Sequence, residues 1–153
     1  MRTLSKSRLL AYRQCPKRLW LEIHHPEYRT DSAATRASFA TGHQVGDIAR
    51  HLYDPQGKGV LLDPKAEGRL DHLLQHSQLL LQAKSPCALF EAGFRAEGAL
   101  ALADVMIPLR RGGQRAWRMV EVKSSTSIKD YHRDDAAMHA FVLWSSFTGQ
   151  PAP

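Results

Sequence analysis

Residues 116–125 read AWRMVEVKSS, and the run Glu121-Val122-Lys123 inside them decides how the rest of the chain is read. The segment is apolar enough for a β-strand. With a period of two, Val120 and Val122 face one way while Met119, Glu121 and Lys123 face the other. An acid and an amine in a strand fit for burial must be paired or bind an ion, because an isolated buried charge is costly or shifts its pKa. Upstream, residues 99–108, ALALADVMIP, form a second apolar segment whose acid is Asp104, and Arg110-Arg111-Gly112-Gly113 between the two reads as a hairpin turn. Pairing these strands brings Asp104 and Glu121 to one face with Lys123 beside them. Hard carboxylate oxygens of this kind suit Mg²⁺ or Mn²⁺. The same three residues also admit a purely structural reading, an ion-pair cluster in which Lys123 neutralises both acids.

The chain of 153 residues is 43% hydrophobic and 24% charged, which suits one ordinary domain, residues 1–153, able to bury a core. Its formal charge of +6 favours a polyanionic partner such as nucleic acid. Two cysteines, Cys15 and Cys87, are too few for a disulfide framework or a four-thiolate site and fit a reducing compartment, so a cytoplasmic location is expected. No run matches a signal peptide or approaches the roughly 20 apolar residues of a membrane span, so the expectation is a soluble, unexported protein with no membrane partner. Neither a phosphate-binding loop of the G-x-x-x-x-G-K-S/T kind nor a G-x-S-x-G nucleophile elbow occurs, which argues against nucleotide hydrolysis and serine-hydrolase chemistry.

Taken in order, Ser5 is placed to cap a short helix running to residue 13, and Cys15-Pro16 interrupts it before Trp20, which should pack while Lys17 and Arg18 stay wet. Residues 24–32 form a polar loop. Over 33–53, Phe39, Val45, Ile48, Ala49 and Leu52 recur at helical intervals and predict an amphipathic helix lying on the sheet. A turn at 54–59 leads to a short strand, 60–62, then a helix over 66–83 with Leu70, Leu73, Leu74, Leu80 and Leu81 inward. His72 and His76 stand four apart on that helix and read as a solvated face, as do His43 and His51 on the earlier one. Residues 87–95 alternate as a strand whose acid is Glu91. A final helix spans 131–148, with Asp134 or Asp135 as its cap.

An Asp on one strand followed, across a Gly-rich turn, by Glu-x-Lys on the next resembles the PD-(D/E)XK nuclease superfamily, here as Asp104 and Glu121-Val122-Lys123. The words FEAGFRAEGALALADVMI, YHRDDAAMHAFVLW and SRLLAYRQCPKRLWLE are similar to its RecB-like branch, which includes the CRISPR-associated exonucleases, and together cover about half the chain. The resemblance implies an α/β restriction-endonuclease-like core: a central mixed β-sheet of three to five strands flanked by helices. It also implies at least one strand beyond residue 148, so the expectation is a minimal fold lacking that strand or a C-terminally truncated chain.

The implied activity is Mg²⁺- or Mn²⁺-dependent hydrolysis of DNA phosphodiester bonds, with Asp104, Glu121, Glu91 and the Val122 carbonyl around the metal. Lys123 would orient water or steady the transition state, being an unlikely general base at its ordinary pKa of about 10.4. Glu91 corresponds to the first acid of the site; its competing reading is an edge carboxylate paired with Arg95. Lys129, Tyr131 and His139 have the donors to hydrogen-bond a substrate phosphate. Two departures stand out. Relatives carry a metal-binding histidine where this chain has Gly46, and a glutamine where it has His139. A cysteine in the CPKRLW context can ligate an iron–sulfur cluster in this branch, but the further group of three cysteines is absent, so no cluster is expected and Cys15 reads as a packed thiol. The departures also leave room for a second reading, a catalytically inactive nuclease-fold module for nucleic-acid binding or assembly.

Overall fold

The computed structural model describes residues 3–64 and 66–148. Strands β3 (Leu89–Ala96) and β4 (Ala99–Arg111) form its central hairpin, closed by Glu97-Gly98 with φ of 49° and 73°. Positive φ at both turn residues gives the twist that matches two antiparallel strands. β4 runs three residues past the predicted end and turns again at Gly112-Gly113, φ 58° and 79°, into β5 (Gln114–Val120). Two short strands, β1 (Leu4–Ser5) and β2 (Val60–Leu61), then add in parallel, β1 to β4 and β2 to β3. The result is a mixed five-stranded sheet of order β1-β4-β3-β2 with β5 also on β4, flanked by helices, which bears out the α/β expectation at that level.

One consequence of this topology positions the site. β1 and β5 share the same edge of β4, β1 taking Ala99 and Leu100 and β5 taking Val105 to Arg111. Residues 101–104 therefore face a gap between the end of one strand and the end of the other.

Among the described residues the α-helices are α1 (Lys6–Gln14), α2 (Pro16–His24), which packs on α1, α3 (Ala33–Tyr53), α4 (Leu70–Gln82) and α5 (Asp130–Thr148). Ser5 caps α1 as expected, its Oγ accepting the Arg8 N–H at 3.5 Å, and Ser32 caps α3 through the Thr35 N–H at 3.1 Å. The core gathers Leu62, Leu73, Leu89, Met106 and Val142, each at most 1% exposed. Burying such side chains stabilises by roughly 1.5–3 kcal/mol apiece. α4 is locked to β3 at Gly93: a Cβ there would collide with Leu73, and the Gly93 N–H donates to the buried Ser77 Oγ at 2.8 Å. Among the described residues no helix is long and apolar enough to cross a membrane.

Several sequence expectations need correction. α3 forms over the predicted span but does not lie flat on the sheet: Ala49 is buried, whereas Phe39, Ile48 and Leu52 are 52%, 66% and 70% exposed. Gly42 and Gly46 line a cleft beneath the helix, where a Cβ at either would meet nothing within 4 Å. Trp20 is half exposed and lies against the His24 and His25 rings instead of packing inward, and Cys15 is exposed, not a packed thiol. The helix predicted at 66–83 starts at Leu70, after Gly68 takes a φ of 71°, and leaves Leu70 at the surface. Asp134 and Asp135 sit inside α5 and do not cap it.

Candidate functional site

Glu91 and Asp104 occupy opposing positions on β3 and β4, between the pairs Phe90↔Val105 and Ala92↔Ala103. Glu91 itself drops out of the ladder. Its φ is 58°, the left-handed region that side chains other than glycine rarely adopt. That twist suspends the in-out alternation, so that Phe90 and Glu91, neighbours in sequence, line the same cleft. The cleft encloses about 150 Å³ beneath α3 and is also walled by Gly46, Ala49, Asp104, Val122 and Lys123. A Cβ added at Gly46 would meet nothing within 4 Å, so this wall is open space.

Glu121 reaches the site by a different route. The β4–β5 ladder ends at Val105↔Val120, one step before Asp104 would face Glu121. The strand peels away there because the Val122 N–H donates to Asp104 Oδ2 at 2.7 Å, a side-chain acceptor in place of a backbone carbonyl. Glu121-Val122-Lys123 thus follow the strand and are not part of it, a correction to the predicted 116–125.

Once free of the ladder, Glu121 turns into the gap at the sheet edge and is surrounded by protein cations. Lys6, the first residue of α1, lies 3.2 Å from Oε1, and the Lys123 ammonium donates to the same oxygen. His139 of α5 approaches Oε2 through Nδ1 at 2.7 Å. Both lysines also reach Asp135, 3.0 Å from Lys123 and 3.6 Å from Lys6, and that carboxylate is 4% exposed. The five side chains close a part-buried ionic cluster across the gap.

The electrostatics of the two ends diverge. Burial alone would raise the Glu121 pKa, but hydrogen bonds from His139 and Lys123 outweigh it and hold the carboxyl at about 2. Lys123 is the mirror case: burial opposes its charge, and Glu121 overrides burial and lifts its pKa. Glu91 goes the other way, pushed up to about 7 by burial and then by the Asp104 charge. Asp104 is raised by burial and by Glu121, with the Val122 N–H pulling against them. Among the described residues Glu91 has no hydrogen-bond or ion-pair partner.

Of the residues singled out in the sequence, Glu91, Asp104, Val122 and Lys123 line one cleft, and Glu121 adjoins it. Lys123 pairs with Glu121 and Asp135, not with Asp104. Arg95 pairs with Asp71 at 2.8 Å, which removes it as a partner for Glu91. Lys129 and Tyr131 are exposed, the ammonium 5.8 Å above the ring. His139, expected at a phosphate, is instead 2% exposed and committed to Glu121, so it is an internal residue of the cluster. Lys6 and Asp135 were missed. Lys6 lies 115 residues from Glu121 and has no local signature, whereas Asp135, His139 and Val142 recur at helical spacing and mark the inner face of α5.

Compared with protein-family models, curated protein sequences and solved structures, the chain matches none.

The donor set still bears on a metal. Glu91 and Asp104 present oxygen ligands whose mutual repulsion a hard divalent cation would relieve, and that chemistry fits Mg²⁺ or Mn²⁺. Glu121 could join them only by exchanging a protein cation. Among the described residues no three Asp, Glu, His or Cys side chains are already gathered as a metal cage.

Proposed function

We propose that this protein is a divalent-metal-dependent nuclease that hydrolyses DNA phosphodiester bonds, built on a restriction-endonuclease-like core. The observation that carries the reading is the meeting of Glu91, Asp104, Val122 and Lys123 in one cleft at the break in the sheet edge, with Glu121 beside it. Glu91 and Asp104 would hold Mg²⁺ or Mn²⁺, with the Val122 carbonyl and Glu121 as further donors. The bound ion would activate water and neutralise charge on the phosphoryl oxygens.

The chain's own residues account for the rest. Lys123, kept cationic by Glu121 and Asp135, acts as a fixed positive charge toward the pentacovalent phosphorus and not as a base, because its proton is held more tightly than in water. Asp104 fixes the Val122 backbone through the 2.7 Å hydrogen bond and so sets where the 122 carbonyl lies. α3 covers the cleft from one side and limits its water. Lys129 and Tyr131, exposed where α5 begins, offer an ammonium and a phenol to the substrate backbone.

The test is cleavage of linear duplex and single-stranded DNA with Mg²⁺ or Mn²⁺ by the wild type, Asp104→Ala and Lys123→Ala. Loss of about 10²-fold or more in both variants is expected. Equal cleavage by all three overturns the proposal. A second reading, a non-catalytic nucleic-acid-binding or assembly module, is favoured by one observation: Glu121 is already saturated by Lys6, Lys123 and His139. Salt-sensitive DNA binding without metal-dependent cleavage would support it.

A further inference from the structure

The part of the β4–β5 hairpin beyond the site has a one-sided composition. Residues 105–120 hold Arg110, Arg111, Arg115 and Arg118 and no acid. All four are exposed. The arginine ion pairs among the described residues belong to Arg13, Arg18, Arg29, Arg50 and Arg95. The hairpin arginines instead touch only backbone carbonyls, Arg110 reaching Gly113 at 3.5 Å and Arg115 reaching Lys84 at 3.4 Å.

Register sharpens the point. Arg110 stands directly opposite Arg115 in the ladder. Like charges in that position destabilise a strand pair, so the hairpin keeps a repulsion that one neutral residue would remove. An anion bridging the two guanidiniums relieves it. By strand alternation Arg110 and Arg115 share one face while Arg111 and Arg118 share the other. Charge therefore wraps the ribbon and does not form a flat patch. A two-stranded ribbon of this kind fits a groove about 12 Å wide with a phosphate backbone on each side. Arg110 lies six steps along β4 from Asp104, which is about 20 Å along the strand. That length corresponds to roughly six base pairs.

We propose that the β4–β5 hairpin is a docking arm for duplex DNA, its arginines binding backbone phosphates about six base pairs from the carboxylate cleft. The choice of DNA rests on the nuclease reading, but the grip itself needs neither metal nor turnover.

The experiment measures binding of the full chain to a duplex of roughly 20 base pairs, without divalent ions, between about 50 and 200 mM salt. Each lost phosphate contact lowers the slope of log K against log salt by about 0.9, so Arg110→Gln/Arg115→Gln should lose about 2. Its melting temperature should hold or rise, because a repulsion has gone. Arg111→Gln/Arg118→Gln should lose a similar slope from the other face, and Arg110→Lys/Arg115→Lys should restore it. An unchanged slope in both glutamine pairs overturns the arm. So does a slope loss that comes with a lowered melting temperature and is not restored by lysine, which would make the arginines structural. Tighter binding of single strands than of duplex also overturns it. The two proposals fail separately: a protein that cleaves but ignores the arginines refutes the arm alone, and one that never cleaves yet loses slope refutes only the nuclease.

Discussion

Two carboxylates a strand apart, Glu121 and Glu91, live under opposite regimes. Glu121 is wrapped by two lysines and a histidine and sits at about 2, ionised over the whole working range. Glu91 faces Asp104 across the ladder and sits at about 7, half protonated near neutrality. The difference does not come from burial, which penalises charge at both. It comes from where the topology delivers cations: the gap between β1 and β5 brings Lys6 and the α5 face into contact with Glu121, while Lys6 and Arg50 act on Glu91 only at a distance and form no ion pair with it among the described residues. One end is a finished structural cluster. The other has unmet demand for a cation.

The largest effect expected from this contrast is on stability. Glu121→Ala leaves two lysines around Asp135 with one partner removed, and loss of a well-buried ion-pair partner costs about 3–5 kcal/mol. Chemical denaturation reads this directly, and a loss below about 1 kcal/mol would show the cluster to be solvent-screened and erase the contrast. A smaller and pH-dependent effect is expected at the other end. Because the folded-state pKa of Glu91 is raised, its contribution is intact below the ordinary carboxyl range and is lost as pH rises through about 7. Glu91→Gln should therefore stabilise the fold by roughly 1–3 kcal/mol at pH 8 and be nearly neutral at pH 4. Thermal melts across that range check it, and a difference that does not grow with pH breaks the comparison. The smallest effect sharpens it. Lys6 is the most exposed of the cations on Glu121, so Lys6→Met should free that carboxylate and tighten Mn²⁺ binding by a few-fold, measured by calorimetry. Weakened Mn²⁺ binding would mean that Lys6 organises the site and does not compete for it.

Much of the sheet was legible because alternation is local. The hairpin turn at 110–113, the strand carrying Asp104 and the helix capped by Ser5 all follow from apolar spacing and turn residues within a few positions. The site was half legible for the same reason: Glu91, Asp104, Glu121 and Lys123 lie in strand-like words. Lys6 and Asp135 were hidden because β1 is two residues long and its parallel pairing to Ala99 and Leu100 has no pattern of its own. α5 misled because its buried face is lined by Asp135, His139 and Ser145 alongside Val142 and Leu143, polar residues that periodicity assigns to solvent. α3 misled in the opposite sense, with apolar residues at correct spacing that the fold leaves uncovered.

The left-handed backbone at Glu91 implies a conflict for anyone improving this protein in the laboratory. A glutamate held there carries a conformational cost of about 1–3 kcal/mol that glycine avoids. Selection for heat resistance alone would favour glycine or asparagine at 91 and discard the carboxylate that faces Asp104 in the cleft. Screens on this scaffold should therefore score ligand capture together with durability.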